Sequence, residues 1–181
     1  IEGAVTAPRG FRAGTFAAAI KPTRTTDDCA LIVSERPASA AGVFTTNVMK
    51  AAPVLWDMGV CHGGIASAIF CNAGNANACT GEQGDCDVRA VADQVGERLE
   101  VPATEVLVCS TGVIGVHLPM ARVAAGIDGC VDSLSDSGGA AASRAIMTTD
   151  TRPKAVAVEV ELSEGSIRIG GIAKGAGMIA P

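Results

Sequence analysis

The sequence predicts an α/β fold, layered in the α+β manner. Three observations carry that prediction. Short apolar runs of strand length recur between residues 27 and 110. Two segments carry apolar residues at helical spacing, from Asp87 and from Leu118. A pair of strictly alternating segments, Ala155–Leu162 and Ser166–Lys174, follows. Strands, helices and strands in that order suit elements packed in layers around one core.

The run DDCALIVSE, Asp27–Glu35, has the length and character of a buried strand. AAGVFTTN, Ala40–Asn47, is rich in β-branched and aromatic residues and reads as a second. IASAIFC, Ile65–Cys71, alternates and then turns wholly apolar, again strand-like. EVLVCS, Glu105–Ser110, is a fourth strand, ending in a Thr-Gly turn. In the segment from Asp87, Val88, Val91, Ala92, Val95 and Leu99 fall on one helical face, with Asp85 or Asp87 able to cap its start. In the next, Pro119 suits a first turn, and Val123, Ile127 and Val131 follow at i, i+4, i+8. SDSGGAAASRAIM predicts a third helix, built of small residues. The last two alternating segments flank Ser-Glu-Gly and predict a β-hairpin that delivers Lys174 into a glycine-rich turn.

Composition narrows the function. Hydrophobic residues make up 48% and charged residues 18%, a globular balance. Aromatic residues are only 3%, so the core must be built from Ala, Val, Ile and Leu. The net charge of -5 and the absence of a Lys/Arg run argue against nucleic acid as a partner. No apolar stretch is long enough for a bilayer span, and the opening residues lack a signal-peptide pattern, so no membrane association and a cytoplasmic location are expected. The seven cysteines form no C-x-x-C pair, and His62 and His117 lack zinc-ligand spacing. They read as reduced thiols packed like small apolar residues, and no metal site is expected.

Three stretches can carry chemistry. CNAGNANACTGEQG, Cys71–Gly84, reads first as a loop structured by its own asparagines and second as a substrate contact. CSTGVIG, Cys109–Gly115, is either a helix-entry turn or a pair of donors, the Thr111 hydroxyl and the Gly112 N–H, placed to hold an oxyanion. AIMTTDTRPK, Ala145–Lys154, offers Thr148, Thr149 and Thr151 either to a polar ligand or to a turn before a strand. No Ser-His-Asp set can be assembled, so the residues supply an oxyanion hole and polar loops without a nucleophile.

VTAPRGFRAG, AAGVFTTNVMKAAPVLW, CNAGNANACTGEQG, CSTGVIG, RAIMTTDTRPKA and GGIAKGAGMIAP occur here in this order. Together they resemble the α chain of the ornithine acetyltransferases, the bifunctional glutamate N-acetyltransferase family of arginine biosynthesis, from about Val5 to Pro181. The resemblance implies an αββα-like sandwich similar to, but topologically distinct from, the N-terminal-nucleophile hydrolases. It also implies residues 1–181 as one α/β domain completed by a separate β chain. Members cut themselves before a Thr shortly after the Gly-Met-Ile/Leu-x-Pro stretch, and that Thr is the nucleophile. The apolar ending AKGAGMIAP, Ala173–Pro181, is then expected to lie inside a longer precursor.

By the same resemblance, Thr111 and Gly112 form the oxyanion hole, and Thr151 and Lys174 bind substrate. The substrates implied are N2-acetyl-L-ornithine and L-glutamate, and the assembly implied is two α and two β chains. No cofactor is implied. Some members use acetyl-CoA as a co-substrate, and nothing in these residues separates them from members that only recycle the acetyl group. Two other readings keep the same residues. One is a self-processing N-terminal-nucleophile aminopeptidase or amidase, and the other is a non-enzymatic domain binding a polar small molecule.

Overall fold

A computed structural model describes residues 1–177. Its first sheet joins β1 (Phe11–Phe16), β2 (Cys29–Ser39), β3 (Ile65–Asn75) and β4 (Val106–Val113) in the order β1-β2-β3-β4. The pairs β1/β2 and β2/β3 are antiparallel, and β3/β4 is parallel. The parallel pair needs a crossover. It is made by α2 (Gly81–Leu99), which follows β3. The remaining elements are α1 (Ala52–Gly63), α3 (Met120–Asp132), the short α4 (Gly139–Ala145) and a separate antiparallel hairpin of β5 (Lys154–Leu162) and β6 (Gly165–Ala173). Among the described residues no helix is long and apolar enough to cross a membrane.

Alternation along the strands sends apolar residues to both faces of the sheet. Cys29, Leu31 and Val33 of β2, Ala68 and Phe70 of β3, and Val106 and Val108 of β4 pack with Val88, Val91 and Val95 of α2 and with Val123, Ile127 and Cys130 of α3. On the opposite face Ala13 and Ala30 meet Ala142, Ala145 and Ile146 at α4, with Ile172 of β6 packed against them. The aromatic-poor composition is thus met by close stacking of small and β-branched side chains.

The outer edge of β4 is covered from α1. Trp56 Nε1 donates to the Val106 carbonyl at 2.8 Å, and the Val108 N–H donates to Asp57 Oδ1 at 2.8 Å. These bonds satisfy edge groups that would otherwise template a foreign strand. Burial raises the Asp57 carboxyl from its ordinary 3.8 to about 7, against the smaller opposing effect of the Val108 hydrogen bond.

The hairpin is strongly two-faced. Register pairs Val158 with Ile169 and Val160 with Ile167, and with Val156 and Leu162 these side chains form one apolar face, each 39–61% exposed. The other face carries Glu159 and Arg168, paired at 3.1 Å.

Several elements depart from the sequence reading. Ala40–Asn47 forms no strand: β2 runs on to Ser39 and the chain then lies exposed, so its β-branched residues have no sheet to join. Helix α2 begins at Gly81 rather than near Asp87. Asp87 is inside it and buried, accepting from Gln83 Nε2 at 2.8 Å, and neither Asp85 nor Asp87 caps it. β1 and α1 carry no clear periodic signal in the sequence. The stretch Met178–Pro181 of the AKGAGMIAP ending lies outside the described residues.

Candidate active site

Thr111 and Gly112 lie inside β4, not in a turn beyond it. The β3/β4 ladder is irregular there, because Asn75 opposes both Thr111 and Val113. Gly112 has φ +137, and a Cβ on it would stand 2.3 Å from the Gly74 carbonyl carbon. Only glycine fits both that dihedral and that approach. The bulge leaves Gly112 exposed and Thr111 half-buried at the strand's C-terminal end.

Buried asparagines brace this end. Ser110 Oγ donates to Asn72 Oδ1 at 2.6 Å, and Asn72 Nδ2 donates to the Asn75 carbonyl at 2.9 Å. Asn75 Nδ2 donates to the carbonyls of Val116 and His117, and Asn77 Nδ2 to that of Gly84. The stretch CNAGNANACTGEQG is not one loop, since β3 runs to Asn75 and α2 begins at Gly81, but its asparagines do bond to backbone as the loop-structuring reading expects. They fix the backbone on either side of Thr111–Gly112.

Lys174, the first residue past β6, closes the site. Its Nζ donates to Thr111 Oγ1 at 2.6 Å and to Thr148 Oγ1 at 2.9 Å. Three segments distant in sequence meet at one ammonium. Thr111 accepts that bond and keeps its own hydroxyl proton to donate. A hydroxyl whose oxygen is bonded to a cation is the better donor for it. Thr151 lies exposed next to Asp150, and among the described residues it is not drawn into the Lys174 set. Thr148 takes the place beside Lys174; the sequence offered it as one of three threonines without choosing it.

The threonine segment is held at both ends. At its start, the Arg24 guanidinium donates to the carbonyls of Met147, Asp27 and Ala145, at 2.6, 2.6 and 3.1 Å. A cation at the carbonyl end of a helix is favoured by the helix dipole. At its far end, Asp150 Oδ1 accepts from Lys154 Nζ at 2.5 Å and from the Gly175 N–H at 2.6 Å. Asp150 Oδ2 accepts from the Thr148 N–H at 3.3 Å. The Lys154 ammonium, then the Gly175 N–H, hold this carboxyl well below the usual carboxylate range. No local pattern singles out Asp150, because four-residue spacing to a lysine signals an ion pair only on a helix and this segment is not helical.

Among the described residues no three His, Cys, Asp or Glu side chains converge as a metal cluster would require. A groove of about 520 Å³ runs along the base of the hairpin, lined by Arg152, Lys154, Val156, Gly171 and Ala173. Neither Thr111 nor Lys174 lines it.

Residues 12–181 match the model of the ArgJ family. The arginine biosynthesis bifunctional protein ArgJ of Caldanaerobacter subterraneus is 51% identical over 181 residues, all of this chain and 44% of that protein. The protein of the same name from Prochlorococcus marinus is 48% identical, over all of this chain and 43% of its own length. The chain thus spans less than half the length of these curated relatives. Among solved structures, ornithine acetyltransferase from Mycobacterium tuberculosis, crystallised with ornithine, superposes with a TM-score of 0.92 at 47% identity, over 99% of this chain and 95% of that one. ArgJ from Bacillus halodurans superposes at 0.89 with 37% identity, over 99% and 93%.

Proposed function

The chain belongs to the ArgJ family, and from that membership and the site geometry we propose that it is the oxyanion-holding half of an ornithine acetyltransferase. The reaction is transfer of the acetyl group from N2-acetyl-L-ornithine to L-glutamate. The observation that carries this reading is the convergence of Lys174 on Thr111 at the Gly112 bulge.

In this reading the nucleophile is the N-terminal Thr of a β chain cut from the same precursor, activated by its own α-amino group, whose reference pKa is near ~8. Its hydroxyl attacks the acetyl carbonyl and a tetrahedral oxyanion forms. The Thr111 hydroxyl and the Gly112 N–H donate to that oxygen. Collapse expels ornithine, leaving an acetyl-Thr ester, and the amine of glutamate then takes the acetyl group in a second, mirror-image step. One pocket serves both substrates in turn because they share an α-amino acid core.

Lys174 has two tasks here. Thr111 and Thr148 engage two of its three N–H donors, and the third serves a substrate carboxylate. The bond to Thr111 also polarises the hydroxyl that faces the oxyanion. Thr151 contributes a further polar contact from the exposed end of its segment. The β chain completes the α/β domain and supplies the remaining walls, in an assembly of two α and two β chains. The exposed apolar hairpin face and the exposure of Gly112 support a half completed by another chain. No bound cofactor takes part, and acetyl-CoA is an alternative acetyl donor in the same pocket. The enzyme works in the cytoplasm.

The test is intact mass of the denatured full-length protein, with and without N-acetylornithine. A second chain beginning with Thr that gains one acetyl group supports the proposal. A processed chain that never acetylates, but releases free acetate, would point to the amidase reading instead.

A further inference from the structure

Asp150 bonds to the side chain of neither Thr111, Thr148 nor Lys174, yet it ties together the segments that carry the last two. Its side chain is 1% exposed. Oδ1 accepts from Lys154 Nζ on the threonine segment's side of β5 and from the Gly175 N–H, one residue past Lys174. Lys154 Nζ also donates to the Gly175 carbonyl at 2.9 Å, so both backbone groups of Gly175 are bound by this pair. Oδ2 takes the Thr148 N–H. A single carboxylate thus fixes the backbone that bears the lysine and the backbone that bears one of its two hydroxyl partners.

The physical need for such a clamp is clear. A lysine has a long flexible stem and its ammonium is a point charge with no fixed fork. Its position must come from its backbone and from its partners. β6 ends at Ala173, so Lys174 is already outside the ladder that orders the strand. Gly175, with φ +128, carries none of the restriction a side chain would impose. Without Asp150 the Gly175 N–H loses its acceptor, and this turn keeps only the Lys154 ammonium on the Gly175 carbonyl to order its backbone.

We propose that Asp150 is a positioning residue for the acetyl-transfer site, acting through Lys174 by locking the Gly175 backbone to the Thr148–Thr151 segment. The inference rests on the proposed function above. It predicts that loss of the clamp is felt only when Lys174 is there to be positioned.

The experiment is a double-mutant cycle in the full-length protein, with Asp150→Asn, Lys174→Ala and the pair, reading kcat and KM for N-acetylornithine together with calorimetric binding of L-ornithine. Asp150→Asn keeps the shape and one acceptor, and Asp150→Ala removes both. The expected result is a ~10- to 100-fold loss of kcat/KM for Asp150→Asn, as misplacement of a catalytic group typically costs, with a larger loss for Asp150→Ala. In the Lys174→Ala background the same substitution should cost less than ~3-fold, because residues acting as one unit are not additive. Equal losses in both backgrounds, with a strong Lys174→Ala effect, would overturn the role of Asp150 while leaving the site reading intact. Wild-type kinetics and ornithine binding for Lys174→Ala would overturn the site reading and this inference with it. A loss of kcat/KM that matches a fall in thermal midpoint, with ornithine affinity unchanged, would also count against positioning.

Discussion

The ammonium of Lys174 lies 2.6 Å from the hydroxyl oxygen of Thr111, across 63 residues of sequence. That contact makes the two residues one unit: the lysine sets which way the threonine proton points and how readily it is shared. Removal of either should therefore weaken the same step.

Thr111→Val keeps the shape and deletes the hydroxyl. In the full-length enzyme it should slow acetyl transfer ~100- to 1000-fold, the usual cost of losing one oxyanion donor, with KM little changed. Thr111→Ser should recover most of the rate. Steady-state kinetics with N-acetylornithine and glutamate measures both, and a wild-type rate for Thr111→Val would remove the proposed role.

Lys174→Ala should raise KM for both substrates through the lost carboxylate contact. It should also lower kcat, since Thr111 loses the cation on its oxygen. An unchanged kcat with raised KM would leave the lysine a binding group only.

Gly112→Ala places a methyl against the Gly74 carbonyl in a conformation that L side chains rarely adopt. Backbone strain and overpacking together should cost at least ~2 kcal/mol. Urea unfolding of the full-length protein would show this as a lower midpoint. A neutral result would mean that the strand end yields easily and is not the rigid frame described above.

Part of this site is legible in the sequence. Lys174, Thr111 and Gly112 sit in short motifs whose residue types suit oxyanion and carboxylate binding, and the family likeness pointed to them. Their meeting was not legible, because the hairpin that brings Lys174 to β4 pairs only with itself and its docking leaves no periodic trace. The strands β2, β3 and β4 and the hairpin were legible because burial writes alternation or unbroken apolar runs. β1 was not: Gly14 and the polar Arg12 and Thr15 interrupt its pattern. α1 was hidden for a related reason, since Trp56 and Asp57 turn to a strand edge rather than presenting one clean apolar stripe. Thr148 was offered without being chosen, and Asp150 escaped, because hydroxyls and carboxylates before a strand look alike whether they cap a turn or build a site.

The raised carboxyl of Asp57 makes a pH prediction. The folded state binds its proton more tightly than the unfolded chain, so this group's contribution to stability is full below about pH 4 and is lost as pH rises through about 7. Across that window stability should fall by up to about 4 kcal/mol from this residue. Asp57→Asn should flatten the dependence while keeping an acceptor for the Val108 N–H. Denaturant unfolding from pH 4.5 to 8, in steps of about half a unit, measures it, and an unaltered slope in the variant would assign the effect elsewhere.

Arg24 makes a prediction of stability rather than chemistry. Arg24→Ala leaves three carbonyls without their charged donor and should cost about 1.5–3 kcal/mol. Arg24→Lys should recover little of it, because one ammonium cannot reproduce the planar fork. Thermal or urea unfolding decides.

The chain has one tryptophan and no tyrosine. The indole of Trp56 is tied to the Val106 carbonyl at the outer edge of β4, the strand that goes on to Thr111. Within this chain its emission therefore reports on that single seam. A fluorescence change that runs ahead of the loss of helical circular dichroism would show the α1–β4 edge parting before the rest of this half melts, with no label added.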